Sequence, residues 1–370
     1  MICDMKTTVP VTSVGADEGQ PKEALSKPSV TELTEKRNGN VRSGKKEMET
    51  VTMNRLLDHT FEPRPPVIDS LLYSGTYIFV GPPKIGKSFL MAQIAWHVAN
   101  GIPLWDNPVR KGTVLYLALE DDYARLQGRL SKMFGEEGTD NLHLTVKAKT
   151  LMEGLMRELE RFRLEHSDTN LIIIDTLQKI RDAYGEQFSY GNDYEVMSRL
   201  KDFSDRHKVC ILVVHHTRKM DSKDSFDMIS GTNGIFGAAD GAFVLQKKRR
   251  TDPEAILEIT GRDQPDAKLT IEFDPDRCIW SLKEREGAVL KKLPDPILVA
   301  IQKFVKEQEF YDAPSVLFSK VDTGLKQPNA LTRHLNAKVN ELFNDYHVLY
   351  QSDRVHGGRR IRLKYLGEEA

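Results

Sequence analysis

Residues 76–88 read Thr76-Tyr-Ile-Phe-Val80-Gly81-Pro-Pro-Lys-Ile-Gly86-Lys87-Ser88. A β-branched apolar run, Thr76–Val80, enters a loop that fits Gly-x-x-x-x-Gly-Lys-Ser/Thr. The loop in turn opens a helical stretch, Ser88–Asn100, with Leu90, Met91, Ile94, Ala95 and Val98 on one face and Gly101 as its stop. Strand, glycine loop and helix in that order form a phosphate cradle. Backbone N–H groups turn inward around the anion, and the helix N-terminus adds positive potential. The expected cradle is Gly81, Pro82, Pro83, Lys84, Ile85, Gly86, Lys87 and Ser88, with ATP as ligand. Lys87 would bridge the β- and γ-phosphates, and the Ser88 hydroxyl would ligate Mg2+.

Outward from this loop, the alternation of strand and helix decides the fold class. Apolar runs recur at Val114–Leu119, Leu171–Ile174, Cys210–Val214 and Ala242–Leu245, with helical stretches at Leu151–Leu164 and Tyr194–His207. Strands apolar on both faces and separated by helices predict an α/β fold with a mainly parallel sheet covered on both sides. Ala255–Ile259 and Leu269–Phe273 read as two further strands closing a core domain over 61–285. A break at Lys291–Pro296 reads as a linker to a small domain, 296–368. There Ile297–Gln308 and Asn329–Asp345 read as helices, the second with Leu331, Leu335, Val339 and Leu342 at helical spacing. His347–Gln351 and Arg360–Leu366 read as a hairpin joined through Gly357-Gly358. Helices followed by a hairpin predict a winged helix-turn-helix. Residues 1–60 lack a sustained period and read as a disordered tail, with Phe61–Pro66 and its three prolines marking the entry into structure.

Composition narrows the class. The chain has 370 residues, 29% charged and 39% apolar, an ordinary globular mix with enough apolar side chain for a sizeable core. No window approaches the roughly 20 apolar residues of a membrane-spanning helix, so no membrane partner is expected. Met1–Pro10 lacks a positive start followed by an apolar stretch, so no secretory leader is expected. Lys plus Arg is 53 against 54 Asp plus Glu, so any nucleic-acid surface must be a local patch. Cys3, Cys210 and Cys278 are scattered, without metal spacing or an even count, which fits a reducing cytoplasm.

Three more strand ends carry polar groups. Leu171-Ile-Ile-Ile-Asp175 ends in a carboxylate placed to hold the magnesium, with helix capping as its plain structural use. Val114-Leu-Tyr-Leu-Ala-Leu-Glu120-Asp121 offers a base to orient water, provided its strand lies beside the phosphate-loop strand. Glu120 is the first choice, Asp121 the alternative and a helix N-cap the structural use of either. Ile211–Thr217 ends in His215 and His216, of which His216 is the preferred γ-phosphate sensor.

These motifs in order, with Ser230–Asp240 and Thr260-Gly-Arg-Asp263, resemble the RepA-like branch of RecA/DnaB-type ATPases over about residues 65–283. The resemblance implies a RecA-like P-loop core, ATP with Mg2+, and catalytic roles for Lys87 and Glu120. It implies a homo-oligomer, such as a hexamer, with an arginine finger from the neighbouring subunit. Arg262 is the candidate and Lys247-Lys-Arg249-Arg250 its rival. It also implies single-stranded DNA on the loops Lys179–Asn192, with Lys179, Arg181, Tyr184, Phe188 and Tyr190, and Arg218–Met228, with Arg218, Lys219 and Lys223 diluted by Asp221, Asp224 and Asp227. The mildly basic C-terminal domain could meet duplex DNA through Asn329, Thr332, Arg333 and Asn336, with phosphates held by Arg354, Arg359 and Arg360. The leading expectation is a replication helicase or helicase-like motor of a plasmid, phage or similar element. The rivals are an ATP-controlled binding switch without unwinding and a strand-pairing filament protein.

Overall fold

The structure, a computed structural model, describes residues 48, 50–182, 189–216, 226, 233–249, 251–262, 264, 266–286, 293–356 and 358–367. The chain divides into two units, up to His59 and from Thr60 onward. In the first, Met53–Leu57 form a short helix, α1, whose N-cap Thr52 accepts a hydrogen bond from the Arg55 amide at 3.3 Å. The expected tail therefore stops short of residue 60. Residues 1–47 and 49 lie outside the described residues.

The second unit is mixed α/β, with a nine-stranded, mainly parallel sheet and a second sheet of three strands. The large sheet contains β1 (Gly75–Gly81), β2 (Thr113–Ala118), β3 (Leu142–Thr145), β4 (Thr169–Asp175), β5 (Cys210–His216), β6 (Gly241–Gln246), β7 (Glu254–Gly261), β8 (Ala267–Asp274) and β9 (Ile279–Glu286). Their order is β3-β2-β4-β5-β1-β6-β7-β8-β9. The first six are mutually parallel, and β6 to β9 pair antiparallel. The sequence reading missed β3 and β9, because both carry polar residues and neither is fully buried.

The parallel strands β1, β2 and β4 are buried along their whole length, as a sheet covered on both faces requires. Side-chain alternation then sorts them into two layers. Tyr77, Phe79, Val114, Tyr116, Leu171, Ile173, Leu212 and Val214 share one core with α2 (Lys87–Asn100) and α3 (Tyr123–Phe134). Ile78, Val80, Leu115, Leu117, Ile172, Ile174, Ile211 and Val213 share the other with α4 (Leu155–Glu165), α5 (Leu177–Ile180) and α6 (Ser189–His207), and with Ile235 and Ala238 of α7 (Asn233–Ala238). Helix α3 was not expected from the sequence.

The C-terminal segment runs α8 (Pro296–Glu307), β10 (Phe310–Asp312), α9 (Pro314–Lys320), α10 (Pro328–Ala337), α11 (Val339–Asn344), β11 (Val348–Val355) and β12 (Gly358–Tyr365). The single helix expected over Asn329–Asp345 is broken at Lys338, which leaves the helical basin at φ −108° and ψ 18°. Leu331, Leu335, Val339 and Leu342 nevertheless all reach the core with Leu298, Ile301 and Leu317. Two of the expected base-reading residues are corrected here. Thr332 and Asn336 are 3% and 6% exposed. Asn336 Oδ1 accepts from the hydroxyls of Thr60 (2.6 Å) and Tyr350 (2.9 Å), and the Arg64 amide donates to Asn340 Oδ1 at 2.7 Å. Residues 60–64 are thereby fastened to α10 and α11. On the hairpin, Arg354 is exposed, whereas Arg360 is paired with Asp312.

Replacing Asn336 with Ala strips the acceptor from two hydroxyls that sit in or beside the core. The loss should be about 1–3 kcal/mol, seen as a lower urea midpoint with an unchanged denaturant slope.

Candidate nucleotide site

The phosphate loop follows β1 at the carboxyl edge of the parallel strands, where ligands of open α/β sheets bind. Gly86 begins α2 at φ +101°, a left-handed conformation that favours glycine. A Cβ there would also come within 2.9 Å of the Trp280 ring. Trp280, 1% exposed, forms the wall behind the loop, and its Nε1 donates to the Gly86 carbonyl at 3.3 Å. Gln93 of α2 locks it in place, donating to the Trp280 carbonyl (2.9 Å) and accepting from its amide (2.8 Å). Strand β9 thus braces the loop. The sequence reading ended the core without assigning this residue, and a lone Trp in a polar stretch carries no motif.

Lys87 folds back into the loop. Its Nζ donates to the carbonyls of Gly81 (2.8 Å) and Pro82 (2.9 Å) and lies 3.2 Å from His216 Nδ1. Burial lowers its pKa to about 8 against the pull of Asp175 and Glu120, which raise it. His216 is likewise lowered, first by burial and then by the Lys87 charge, so its neutral ring can accept from the ammonium.

Alternation explains which strand-end groups meet. Asp175 falls in step with Leu171 and Ile173, and His216 with Leu212 and Val214, so both belong to the layer that faces α2. Asp175 Oδ2 accepts from the Tyr116 hydroxyl at 3.1 Å, and the Ser88 hydroxyl also hydrogen-bonds to this carboxylate. Burial raises the Asp175 pKa, while those two hydrogen bonds and Lys87 hold it down. His215, out of step, faces the other layer and is buried. Tyr116 and Thr176 are partners that the sequence reading did not single out. Tyr116 stands inside an apolar strand without a motif. Thr176 directly follows Asp175 and was legible by position.

Glu120 is exposed just beyond β2, and its Oε1 accepts from the Thr176 hydroxyl at 3.2 Å. The expected neighbourhood of its strand needs correction. Strand β2 is separated from β1 by β4 and β5, and Glu120 comes within electrostatic reach of Lys87 because it extends past the sheet edge. Asp121 is taken up by Arg129 (2.6 and 3.2 Å), and Asp122 caps α3 by accepting from the Arg125 amide at 2.9 Å. The capping role falls on Asp122, just past both candidates, and the Glu120 carboxylate is less encumbered than that of Asp121.

Arg262 does not join this group within its own chain. It follows β7, where Gly261 pairs with Gly241 at the amino end of β6, on the opposite edge of the sheet. Its side chain is exposed, with Nη2 donating to the Gly237 carbonyl at 3.0 Å. Lys247 and Arg249 instead follow the carboxyl end of β6. Lys247 Nζ lies 5.2 Å from the centre of the Trp280 ring, directly behind the loop. Arg250 lies outside the described residues, as do Tyr184, Phe188, Arg218, Lys219, Asp221, Lys223, Asp224, Asp227 and the side chain of Tyr190. Lys179 is exposed, and Arg181 is paired with Asp193 at 2.7 Å.

Among the described residues no cluster of three or more acidic, His or Cys side chains forms a metal cage. The donor set suits a magnesium ion shared with phosphates, which needs only one or two protein ligands. Asp175, a buried carboxylate facing a serine hydroxyl, is such a set.

Residues 43–222 match the family model described as an AAA domain. Among solved structures, the chain is similar to one described as an ATPase domain, with 12% identity and a TM-score of 0.48 over 57% of this chain and 85% of that one. It is also similar to a DnaB-like replicative helicase described with its interactions with primase. There the identity is 12% and the TM-score 0.48, over 59% of this chain and 60% of that one. No curated protein matches. Among the described residues no helix is long and apolar enough to cross a membrane.

The lysine sets a pH signature. Its pKa is lower in the fold, about 8, than its ordinary 10.5, so the unfolded chain keeps the proton to higher pH. Folding stability contributed by this group therefore rises as pH climbs from about 8 towards 10. Denaturation midpoints at those two pH values should show the gain in the parent relative to Lys87→Met, which has nothing to titrate.

Proposed function

We propose that this protein is a magnesium-dependent ATPase of the RecA-like kind that acts on DNA. The observation that carries the reading is the convergence of Lys87, Ser88, Asp175, Glu120 and His216 on one sheet edge around a glycine loop. Lys87 would turn from the Gly81 and Pro82 carbonyls to the β- and γ-phosphates, exchanging neutral acceptors for charged ones. Ser88 and Asp175 would hold the magnesium, which supplies charge neutralisation at the phosphates. A water molecule oriented by Glu120 would attack the γ-phosphorus in line. The bond to the β–γ bridging oxygen breaks, ADP departs, and the water's proton passes to the Glu120 carboxylate. Thr176 fixes that carboxylate by donating to it, and His216, relieved of the lysine, reports that the γ-phosphate is present.

The finer reading is a replication helicase or helicase-like motor of a plasmid, phage or similar element, working as a homo-oligomer in the cytoplasm. It rests on the RepA-like motifs. Arg262 remains the candidate for a finger offered to a neighbour, since it is exposed and remote from its own loop. A second reading, a switch without unwinding, is favoured by the C-terminal module. Its order of helix, strand, three helices and hairpin supports a winged-helix reading in which α10 and α11 together take the place of one helix, and Arg354 on its hairpin is exposed to meet a phosphate.

Steady-state hydrolysis, measured alone and with single-stranded or duplex DNA, decides between them. Lys87→Ala should abolish turnover, and normal activity in that variant refutes the ATPase. Glu120→Gln should lower kcat by about 10²–10⁴-fold while nucleotide binding persists. A large rise with single strands supports the motor, and a slow rate indifferent to DNA supports the switch.

A further inference from the structure

The opposite edge of the sheet carries a cationic pocket of about 370 Å³ that the nucleotide chemistry does not use. It is built by the segments that lead into four adjacent strands, β2, β4, β5 and β1 in sheet order. These contribute Arg110 and Lys111, Asp168, Lys208 and Ser74 respectively, with Arg163 from α4 and Arg64 from the proline-rich strap closing the sides. The frame is rigid. Asn170, 6% exposed, donates its Nδ2 to the carbonyls of Arg110 (3.1 Å) and Lys111 (2.8 Å), and Ser74 Oγ donates to the Lys208 carbonyl at 3.0 Å.

The charges do not balance. Lys208 is neutralised by Glu62 at 2.6 Å, and Glu160 is engaged by Arg206 and His207. Asp168 already accepts from the Thr113 hydroxyl at 2.9 Å. Among the described residues, none of Arg64, Arg110, Lys111 and Arg163 is paired with a carboxylate, and the Nε atoms of Arg110 and Arg163 are buried without a hydrogen-bond partner. Burial pushes the Arg110 pKa down, a sign that its charge is held at a cost. Leaving such donors unmet is unfavourable, whereas a bound anion with several acceptor oxygens would satisfy them together. Guanidinium groups match the fork geometry of phosphate better than any other side chain.

We infer that this pocket is a second anion site, on the sheet edge away from the phosphate loop, and that it takes a phosphate group from a nucleic-acid backbone or from a free phosphate compound. Its position beside the strap that anchors α10 and α11 places the bound phosphate next to the C-terminal module. The inference does not depend on ATP hydrolysis.

The test uses the full chain carrying Lys87→Ala, which removes the main cation of the phosphate loop. Binding of pyrophosphate is followed by calorimetry and that of a fluorescein-labelled oligo-dT by anisotropy. Adding Arg110→Gln should weaken at least one of them about tenfold. Should that variant fail to fold, Arg64→Glu with Lys111→Glu changes only exposed positions at the rim and should give a loss of similar size. Loss for oligo-dT alone assigns the site to a nucleic-acid backbone, and loss for pyrophosphate assigns it to free phosphate compounds. If the parent binds neither probe, or the variants bind both as the parent does, the site is overturned.

Discussion

The ammonium of Lys87 is the group around which the carboxyl edge is organised. A charged nitrogen taken out of water needs its three donor positions filled. Here two main-chain carbonyls of the loop and the ring of His216 fill them. Those partners come from β1 and β5, which are direct neighbours, so the lysine ties the loop to the next strand. Asp175 and Glu120 compensate the charge from further along the edge without forming a closed ion pair with it. The ammonium can exchange these partners for phosphate, because a charged phosphate oxygen is a stronger acceptor than a carbonyl or a neutral ring nitrogen.

Keeping the lysine in this state requires the loop to be backed from behind. Trp280 supplies that backing from β9, eight strands away in sheet order from β3 but adjacent to α2 through Gln93. The antiparallel extension β6 to β9 is therefore more than an appendage. It brings the Trp280 ring against Gly86 of the loop, and Lys247 lies over that ring. The Gln93 amide holds the Trp280 backbone, and a side chain at Gly86 would collide with the indole.

Legibility in the sequence followed the strength of local physics. The parallel strands were readable because burial on both faces demands unbroken apolar runs, and Thr76–Val80 and Leu171–Ile174 satisfy that demand. Strand β3 was not readable, since Leu-His-Leu-Thr is half-exposed at an edge and its pattern fits a loop equally well. Helix α3 hid for a similar reason: its exposed face is charged, and only Leu126 and Met133 are buried. In the site, Lys87, Ser88, Asp175, Glu120 and His216 could be found because a fixed spacing or a strand end marks each one. Trp280 and Tyr116 could not, because their roles depend on pairings with residues far away in the chain. The strand order was also out of reach. Nothing local says that β4 and β5 insert between β2 and β1, so the neighbourhood expected for Glu120 is one the fold does not have, although its carboxylate still comes within electrostatic reach of Lys87.

That insertion has a consequence for how the two sheet edges differ. Placing β4 and β5 beside β1 collects the carboxylate of Asp175 and the ring of His216 at the carboxyl edge, where strand ends can carry polar groups facing α2. The same order brings the segments entering β2, β4, β5 and β1 side by side at the amino edge, where those entering β2 and β5 carry Arg110, Lys111 and Lys208, with Arg163 and Arg64 added at the sides. At the carboxyl edge Lys87 has two carboxylates within electrostatic reach, so a polyanion arriving there is favoured when it brings its own metal. At the amino edge the cations outnumber the carboxylates, so an anion could bind without one. One strand order thus produces two anion environments of different character, separated by the length of the parallel strands and joined by the same buried core.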